Sequence, residues 1–196
     1  RGKKLNLPGN ISSQFLSALL MIAPTIENGL VIEITSKILS KPYIKMTLNL
    51  MSEFGIENSW ENNLIKVKEQ NYLPKNMKVE NDWSSASFWY SFLALSKSGE
   101  IKTPNLYANS FQGDSVLYTI YTKLGIKTEF NEESIILSKT KSIAKELKLY
   151  LSNYPDLALP IIVSCAGLGI KAYLIGLETL KIKESKRLEC IKKELK

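Results

Sequence analysis

The sequence predicts an α/β protein built as α+β repeats, and three observations indicate this class. A chain of 196 residues with 44% hydrophobic content can bury a core. Segments with the apolar spacing of a helix alternate with short segments typical of strands. The stretch LMSEFGIENSWENNLIKV from Leu50 is matched seventy residues later by IYTKLGIKTEFNEESIIL from Ile120. One structural repeat is therefore used more than once.

The first helix of each repeat is predicted from an apolar run that starts with a polar or turn-forming residue. These runs are SSQFLSALLMIAP from Ser12, SSASFWYSFLALS from Ser84 and PDLALPIIVSCAGLG from Pro155. Ser, Thr or Asp at such a start is the expected N-cap, because its side-chain oxygen accepts hydrogen bonds from amides that the helix leaves unsatisfied. Strands are predicted after these helices at LVIEIT, EIKT and AYLIG.

The second helix of each repeat is more amphipathic. These helices are predicted at KPYIKMTLNLMSEF from Lys41, GDSVLYTIYTKLG from Gly113 and KESKRLECIKKELK from Lys183. Gly55 and Gly125 end the first two, since glycine readily takes the left-handed conformation found after helices. In the third, the spacing of Leu188, Ile191 and Leu195 predicts a buried stripe.

Hairpins complete the first two repeats, with predicted turns at residues 62–63 and 131–133. The chain thus holds two full helix-strand-helix-strand-strand repeats and most of a third, as expected of a piece of a longer chain. Pro74 and a polar cluster interrupt the pattern between the first two repeats, so a domain boundary is predicted near residues 79–82.

Charge and composition narrow the possible functions. The net charge of +7 comes from 26 basic and 19 acidic residues spread along the chain, which favours a local site for a small anion over nucleic acid. Histidine is absent, so acid/base chemistry must fall to Asp, Glu, Lys, Tyr or water. An imidazole triad and a zinc site of the His type are excluded.

Three further features predict a soluble, cytoplasmic protein. Cys165 and Cys190 lie far apart in sequence and suggest reduced thiols rather than a disulfide. The longest apolar stretch, residues 157–170, is broken by Pro160 and is too short for a typical membrane span. The first ten residues lack the core of a signal peptide.

Two polar clusters lie at helix starts in the first repeat, and each has two interpretations. Residues 12–14, SSQ, either cap the helix or bind an anion at its amino-terminal end, and Gln14 is the residue that capping explains least. Residues 40–43, SKPY, form an ordinary helix start, or their polar side chains converge on a phosphate or polyol.

The third repeat contains two more clusters. Asp156 is either an N-cap or a carboxylate that accepts a proton from a substrate hydroxyl. In KIKESKR, Lys183 and Arg187 are four residues apart and share a helix face, with Glu184 beside them. This stretch is either a solvated surface, with ion pairs of about 0.3–0.5 kcal/mol, or a site where a carboxylate works beside bound anions. The residues alone leave both readings open.

Six segments together, in this order and spacing, resemble the EPSP synthase (3-phosphoshikimate 1-carboxyvinyltransferase) family: SSQFLSALLMIAP, SKPYIKMTLNLMSEFGI, ENDWSSASFWY, QGDS, PDLA and GLETLKIKESKR. The resemblance covers the whole chain and roughly the middle half of a family member. It implies the enolpyruvyl transferase fold of βαβαββ units, with two complete units and part of a third present. Residues 1–80 would be the latter part of the N-terminal domain, and residues 81–196 the first part of the C-terminal domain.

The resemblance implies an enzyme that transfers alkyl groups other than methyl. It would move the enolpyruvyl group of phosphoenolpyruvate to the 5-hydroxyl of shikimate 3-phosphate, giving EPSP and phosphate, in chorismate and aromatic amino-acid biosynthesis. No metal or organic cofactor is implied, and the partners are these small molecules rather than nucleic acid or a membrane. The full-length protein would be a monomer. Other substrate-binding residues of the family lie outside this chain, so the chain by itself is expected to be inactive or nearly so.

The resemblance also implies roles for individual residues. Asp156 would take the proton of the 5-hydroxyl, and Glu184 would transfer a proton at the methylene carbon of phosphoenolpyruvate. Gln14 and Arg187 would contact phosphoenolpyruvate. The residues implied to bind shikimate 3-phosphate are Ser12, Ser13, Gln14, Ser40, Tyr43, Asp156 and Lys183. Lys186 is a departure, because the family usually has an acidic residue at that position.

Two alternatives remain. The sister enzyme that transfers enolpyruvyl to UDP-N-acetylglucosamine shares the implied fold and aspartate, but the SSQ and SKPY motifs argue against it. The other alternative is a non-catalytic relative that serves as a binding module. Loss of the family's N-terminal lysine from the parent chain would support the module.

Overall fold

The structure, a computed structural model, describes residues 3–181 and 185–195. The chain divides into two compact units, Arg1–Lys78 and Val79–Lys196. The first unit contains the first repeat, and the second unit contains the other two. Among the described residues, no helix combines the length and apolar character needed to cross a membrane.

The first unit is a four-stranded sheet with two helices. Its strands are β1 (Lys3–Leu7), β2 (Leu30–Ile34), β3 (Asn58–Glu61) and β4 (Leu64–Val67), in the order β1-β2-β4-β3. β1 runs parallel to β2, whereas β4 is antiparallel to both of its neighbours. Helix α1 (Ser13–Ile22), extended by a 3₁₀ turn (Ala23–Thr25), follows β1, and α2 (Lys41–Glu53) follows β2. This repeat is a complete βαβαββ unit.

The core of the first unit follows from the periodicity of its sequence. β2 buries every second side chain, as a strand with one covered face does. The helices bury residues three or four apart, which places their apolar faces on the sheet. The core side chains from these three elements are Leu30, Ile32, Ile34, Leu16, Leu20, Ile44, Leu48 and Met51.

The second unit begins with the second repeat. Its elements are α3 (Trp83–Leu95), β5 (Glu100–Pro104), a 3₁₀ turn (Gly113–Val116) continued by α4 (Leu117–Thr122), β6 (Ile126–Phe130) and β7 (Ser134–Lys139). The three strands form an antiparallel sheet in the order β5-β7-β6. Gly55 and Gly125, at the ends of the second helices, have φ angles of 82° and 83°, which confirms their predicted left-handed conformation.

The third repeat completes the second unit. It consists of β8 (Glu146–Tyr150), a 3₁₀ turn (Pro155–Leu157), α5 (Ala158–Gly167), β9 (Lys171–Ile175), a second 3₁₀ turn (Glu178–Lys181) and α6 (Arg187–Glu194). β8 and β9 pair in parallel. The predicted α/β class is therefore confirmed.

Three buried hydroxyl groups join α3, α4 and α5 inside the second unit. The Tyr121 hydroxyl lies 2.7 Å from Ser91 Oγ and 2.9 Å from Ser164 Oγ. Ser164 Oγ in turn donates to Ser91 Oγ at 3.1 Å. Each hydroxyl in this triangle thus has partners from two other helices, so the polar atoms are satisfied inside an apolar core.

The second repeat differs from the other two in its first strand. Residues 71–82 form no helix or strand. One hydrogen bond that a first strand would make with the chain after β5 is nevertheless present, from Asn81 N to Asn105 O at 2.8 Å. It matches the bond from Leu151 N to Ile175 O, at 2.7 Å, seventy residues later. Among the described residues, this repeat is therefore αβαββ rather than βαβαββ.

Two predicted helix starts are corrected. α3 is capped by Asp82 rather than by a serine of the SSAS run, because the Asp82 carboxylate accepts from the amides of Ser84 and Ser85. α6 begins at Arg187, with Lys186 at its N-cap position, and not at Lys183.

The predicted buried stripe of α6 is also wrong. Leu188 and Ile191 are half-buried, and Leu195 is 48% exposed. Among the described elements, α6 packs mainly against the 3₁₀ turn Glu178–Lys181 rather than against a sheet, so its apolar side chains are only partly covered.

Candidate functional site

In the first repeat, two helix starts meet at one edge of the sheet. β1 and β2 are parallel and each is followed by a helix, so both helices begin at the carboxyl ends of these strands. The connecting loops touch there, because Gly9 N donates to Ser36 Oγ at 2.9 Å and Leu39 N donates to Gly9 O at 3.0 Å. The predicted SSQ and SKPY motifs therefore belong to one edge.

The SSQ motif forms the first turn of α1. Ser12 is the N-cap, and its Oγ accepts from Gln14 N at 3.4 Å. Ser12 and Ser13 are half-buried and Gln14 is exposed. The capping interpretation of Ser12 is thus compatible with the structure, but the first turn contains no acidic residue, which leaves its electrostatic field open to an external anion.

The SKPY motif starts α2 in an unusual way. Ser40 is buried and has φ 55° and ψ 33°, a left-handed conformation that is costly for a residue with a side chain. Its side chain makes no capping bond. The ammonium of Lys41 lies 4.8 Å from the centre of the Trp60 ring, so the structure places it on β3. Backbone strain of the kind found at Ser40 is typical of positions that serve a function.

Tyr43 and Ser13 lie on neighbouring turns of the two helices. Thr47 Oγ1 donates to Ser17 Oγ at 2.8 Å, which fixes α1 beside α2. Ser13 and Tyr43 are each one turn earlier in their helices, and both are half-buried. The first unit therefore gathers hydroxyl groups from both motifs near two helix amino termini, where backbone amides favour an anion.

In the second repeat, the corresponding helix starts bond to each other. Ser84 Oγ donates to Asp114 Oδ2 at 2.5 Å, and Trp83 N donates to Gln112 Oε1 at 2.9 Å. Asp114 is only 2% exposed. Here a protein carboxylate lies at the helix starts, whereas the first turns of α1 and α2 contain no acidic residue.

In the third repeat, the structure brings together two residues predicted for the site. Arg187 Nη1 donates to Asp156 Oδ1 at 3.3 Å, with the two side chains 27% and 31% exposed. β8 and β9 are parallel, so the helices after them begin at the same edge. Lys183 and Glu184, also predicted for the site, lie outside the described residues.

The N-cap interpretation of Asp156 is wrong. Tyr154 holds the cap position of the 3₁₀ turn and Leu157 that of α5, whereas Asp156 lies inside the turn. Its carboxylate contacts Arg187 because the start of α6 lies beside that turn. Lys186 instead approaches Glu189, with 3.4 Å between Nζ and Oε2, and both side chains are largely exposed.

The charges of this pair suit proton transfer and anion binding. Arg187 is the first residue of α6, where the helix dipole disfavours a cation, and the Asp156 carboxylate offsets that cost. A guanidinium has several donors for a phosphate or carboxylate, and an ionised carboxylate can accept a proton from a hydroxyl.

The sequence interpretation missed the role of Glu80, which it placed in an irregular connection. Its carboxylate accepts hydrogen bonds from four groups of the second unit, and these bonds fasten the start of α3 to the loop after β5. The donors are Trp83 Nε1 at 2.9 Å, Tyr107 N at 3.1 Å, Ser110 Oγ at 2.6 Å and Gln112 Nε2 at 3.0 Å. In the sequence, the polar segments QGDS and ENDW, the second of which contains Glu80, were the signal that could have indicated these bonds.

Comparisons with known proteins agree on one family. The model of the EPSP synthase (3-phosphoshikimate 1-carboxyvinyltransferase) family matches residues 1–196. A 3-phosphoshikimate 1-carboxyvinyltransferase from Bacteroides fragilis is 42% identical over 196 residues, which are 100% of this chain and 48% of that protein. A protein of the same name from Haemophilus ducreyi is 32% identical over 198 residues, covering 100% and 45%.

A solved structure is similar in fold. The EPSP synthase from Acinetobacter baumannii superposes with a TM-score of 0.72 and 18% identity, over 98% of this chain and 44% of that chain. The chain spans about half the length of the curated relatives it matches.

Proposed function

The chain belongs to the EPSP synthase family, and from this premise we propose that the whole protein transfers the enolpyruvyl group of phosphoenolpyruvate to the 5-hydroxyl of shikimate 3-phosphate. The products are EPSP and phosphate. The observation that best supports this assignment is the contact between Asp156 and Arg187 at 3.3 Å. It joins a carboxylate suited to act as base with a cation suited to hold an anionic substrate.

In this proposal the first unit binds the phosphate of shikimate 3-phosphate. Ser12, Ser13 and Ser40 supply hydroxyls at the starts of α1 and α2, where no acidic residue lies in the first turn of either helix. Tyr43 belongs to the shikimate pocket, and Gln14 also reaches toward phosphoenolpyruvate. Carboxylates lie at the helix starts of the other two repeats, at Asp114 and Asp156, whereas none opposes a dianion in the first turns of α1 and α2.

The proposed chemistry has an addition step and an elimination step. Asp156 takes the proton of the 5-hydroxyl as its oxygen bonds to C2 of phosphoenolpyruvate, and Glu184 delivers a proton to C3. The tetrahedral intermediate then loses phosphate as a proton leaves C3 and the double bond forms again. Arg187 holds the phosphoenolpyruvate anion and Lys183 the shikimate 3-phosphate, which lowers the cost of concentrating negative charge. The roles of Lys183 and Glu184 rest on the family resemblance.

The same proposal covers the organisation of the whole protein. Residues 1–80 form the latter part of its N-terminal domain, and residues 81–196 form the first part of its C-terminal domain. The protein is a cytoplasmic monomer of aromatic amino-acid biosynthesis, and the two free cysteines, one buried and one exposed, suit a reducing compartment. The chain alone has little or no activity.

Phosphate release by the whole protein tests the function. With both substrates present, we expect steady turnover, and we expect Asp156→Asn to lower kcat by about 10²–10⁴-fold because the base is lost. Glu189→Gln is the matched control, since it removes a carboxylate in the first turn of α6 that pairs with Lys186. Turnover with UDP-N-acetylglucosamine in place of shikimate 3-phosphate would reject the proposal, as would binding of neither acceptor.

A further inference from the structure

We propose that the contact between Lys41 and Trp60 holds the start of α2 in the conformation that presents Ser40 to the phosphate of shikimate 3-phosphate. This inference rests on the proposed function and adds two positioning residues to the first unit. The ammonium of Lys41 lies 4.8 Å from the centre of the Trp60 ring. This distance is within the roughly 6 Å over which a cation and an aromatic face attract each other.

Ser40 needs support from its neighbours because its backbone conformation is strained. It is buried, and its φ of 55° and ψ of 33° lie in the left-handed region that disfavours a residue with a side chain. An ordinary serine N-cap has an extended backbone, and its hydroxyl accepts from an amide two or three residues later. Here residue 42 is proline, which has no amide hydrogen, and Tyr43 N donates to Ser40 O at 3.1 Å. The Ser40 hydroxyl therefore does not cap its own helix.

Contacts on both sides of Ser40 hold this conformation. Before it, Leu39 N donates to Gly9 O at 3.0 Å. A Cβ atom at Gly9 would lie only 2.8 Å from two backbone oxygens of the second loop, so the two loops are in close contact. After Ser40, the first residue of α2 is Lys41, whose side chain reaches the Trp60 ring. The strained residue is thus fixed between a backbone contact and a side-chain contact.

Trp60 is itself held firmly on β3. Its Nε1 donates to Asn62 O at 3.2 Å in the hairpin turn, and its ring packs against the core of the first unit. β3 also contacts α2 through Asn58, whose Nδ2 donates to Leu48 O at 3.1 Å. The ring therefore offers Lys41 a fixed partner on a strand that is already bonded to the same helix.

The charge of Lys41 explains why this contact matters for a bound anion. The helix dipole disfavours a cation at the first position of a helix, and the first turn of α2 contains no acidic residue to balance it. The face of the Trp60 ring is negative and offsets part of this cost. Without the ring, the Lys41 side chain would gain by moving toward the anion, and the start of α2 could relax with it. The contact thus leaves hydroxyls and backbone amides to bind the phosphate.

The experiment is a calorimetric titration of the whole protein with shikimate 3-phosphate. We expect Lys41→Met and Trp60→Leu each to weaken binding by about two- to fivefold, the range that a partly exposed cation–π contact can supply. Because both substitutions remove the same contact, the double variant should bind no more weakly than either single variant. Trp60→Phe keeps an aromatic face and Lys41→Arg keeps a cation, so both should retain most of the affinity.

Steady-state kinetics separate positioning from a purely structural role. In Trp60→Leu, the KM for shikimate 3-phosphate should rise by about two- to fivefold with kcat unchanged, because the contact acts on binding. Lys66→Met is the matched control, since Lys66 is exposed on β4 of the same hairpin and its loss removes the same charge. This control should keep the wild-type affinity. A loss of stability in urea without a loss of affinity in Trp60→Leu would assign the contact a structural role and overturn the inference.

The possible outcomes are separable. Wild-type affinity in Lys41→Met and Trp60→Leu would overturn the inference. Tighter binding in Trp60→Leu would also overturn it, because the released Lys41 would then be a phosphate ligand. An equal loss in Lys66→Met would show a general effect of charge and would count against the inference as well. Failure of the wild-type protein to bind shikimate 3-phosphate would instead reject the proposed function. If Trp60→Leu does not fold, as judged by circular dichroism, Lys41→Met and its comparison with Lys41→Arg decide the question.

Discussion

Asp82 and Asp156 are carboxylates at two helix starts of the second unit, and their contacts give them different tasks. Asp82 accepts from Ser84 N at 2.9 Å and from Ser85 N at 3.1 Å, so it stabilises the start of α3. Asp156 instead contacts Arg187. A carboxylate that accepts hydrogen bonds from backbone amides is poorly placed to exchange protons with a ligand, whereas a partly exposed carboxylate paired with a cationic side chain is suited to that exchange.

The capping role of Asp82 predicts a pH-dependent loss of stability in Asp82→Ala. Burial raises the pKa of Asp82, but hydrogen bonds from Ser85 and Ser84 outweigh it and leave the pKa below its usual value. A depressed pKa means that the stabilisation is present above the unfolded-state pKa of about 4 and is lost as pH falls through the folded-state pKa. At pH 7 we expect Asp82→Ala to lower the free energy of unfolding by about 1 kcal/mol, measured by urea denaturation.

The difference between the wild type and Asp82→Ala should shrink as the pH falls below about 4. Asp82→Asn is the control, because it keeps a capping oxygen without a charge and should retain most of the stability at pH 7. A loss that is constant from pH 7 to pH 3 would contradict the account.

At the scale of elements, the start of α6 lacks a side-chain cap and carries positive charge. α1 and α3 are capped by the side chains of Ser12 and Asp82, whereas the N-cap position of α6 holds Lys186, which makes no capping bond. Two cationic residues, Lys186 and Arg187, therefore stand at the positive end of this helix.

Lys186→Asp is expected to stabilise α6 by about 1 kcal/mol, because aspartate is a favourable N-cap and suits the helix dipole. Hydrogen exchange of the α6 amides would register this as slower exchange. Lys192→Asp, in the last turn of the same helix, reverses the charge at the opposite pole and should speed exchange. Equal effects of the two variants would show that net charge, rather than capping, controls the helix.

The hairpins and second helices could be predicted from the sequence, because the repeat showed each pattern twice. β1 and β8 were not predicted, since KKLNL and ELKLY each offer only two or three apolar side chains and their strand character depends on distant parallel partners. For the same reason, the sequence indicated Asp156 and Arg187 as separate candidates but did not predict the contact between them. Parallel pairing of β8 and β9 sets that contact, and no local pattern records it.

At the scale of the whole molecule, the two cysteines lie at different depths in the second unit. Cys165 is buried in the core on α5, and burial raises the pKa of its thiol to about 11. Cys190 is exposed on α6. Because the thiolate is the reactive form, the two residues should differ greatly in reactivity in the folded protein.

Labelling with a disulfide reagent at pH 8 is therefore expected to modify Cys190 rapidly and Cys165 only when the second unit unfolds. In Cys190→Ser, the labelling of Cys165 should follow the denaturant dependence of unfolding measured by circular dichroism. Cys165→Ser supplies the complementary control and should keep the fast phase alone. Fast labelling of Cys165 in native buffer would show that the core opens without global unfolding.

The triangle of buried hydroxyls also has a consequence for folding kinetics. Its bond between Ser164 and Ser91 closes a sequence separation of 73 residues, whereas helices and hairpins form through neighbours. Contacts that require such a long loop to close are expected to form after the transition state. Removing the Tyr121 hydroxyl should then accelerate unfolding in stopped-flow experiments and leave the folding rate nearly unchanged. The triangle thus forms late in folding and slows the unfolding of the second unit.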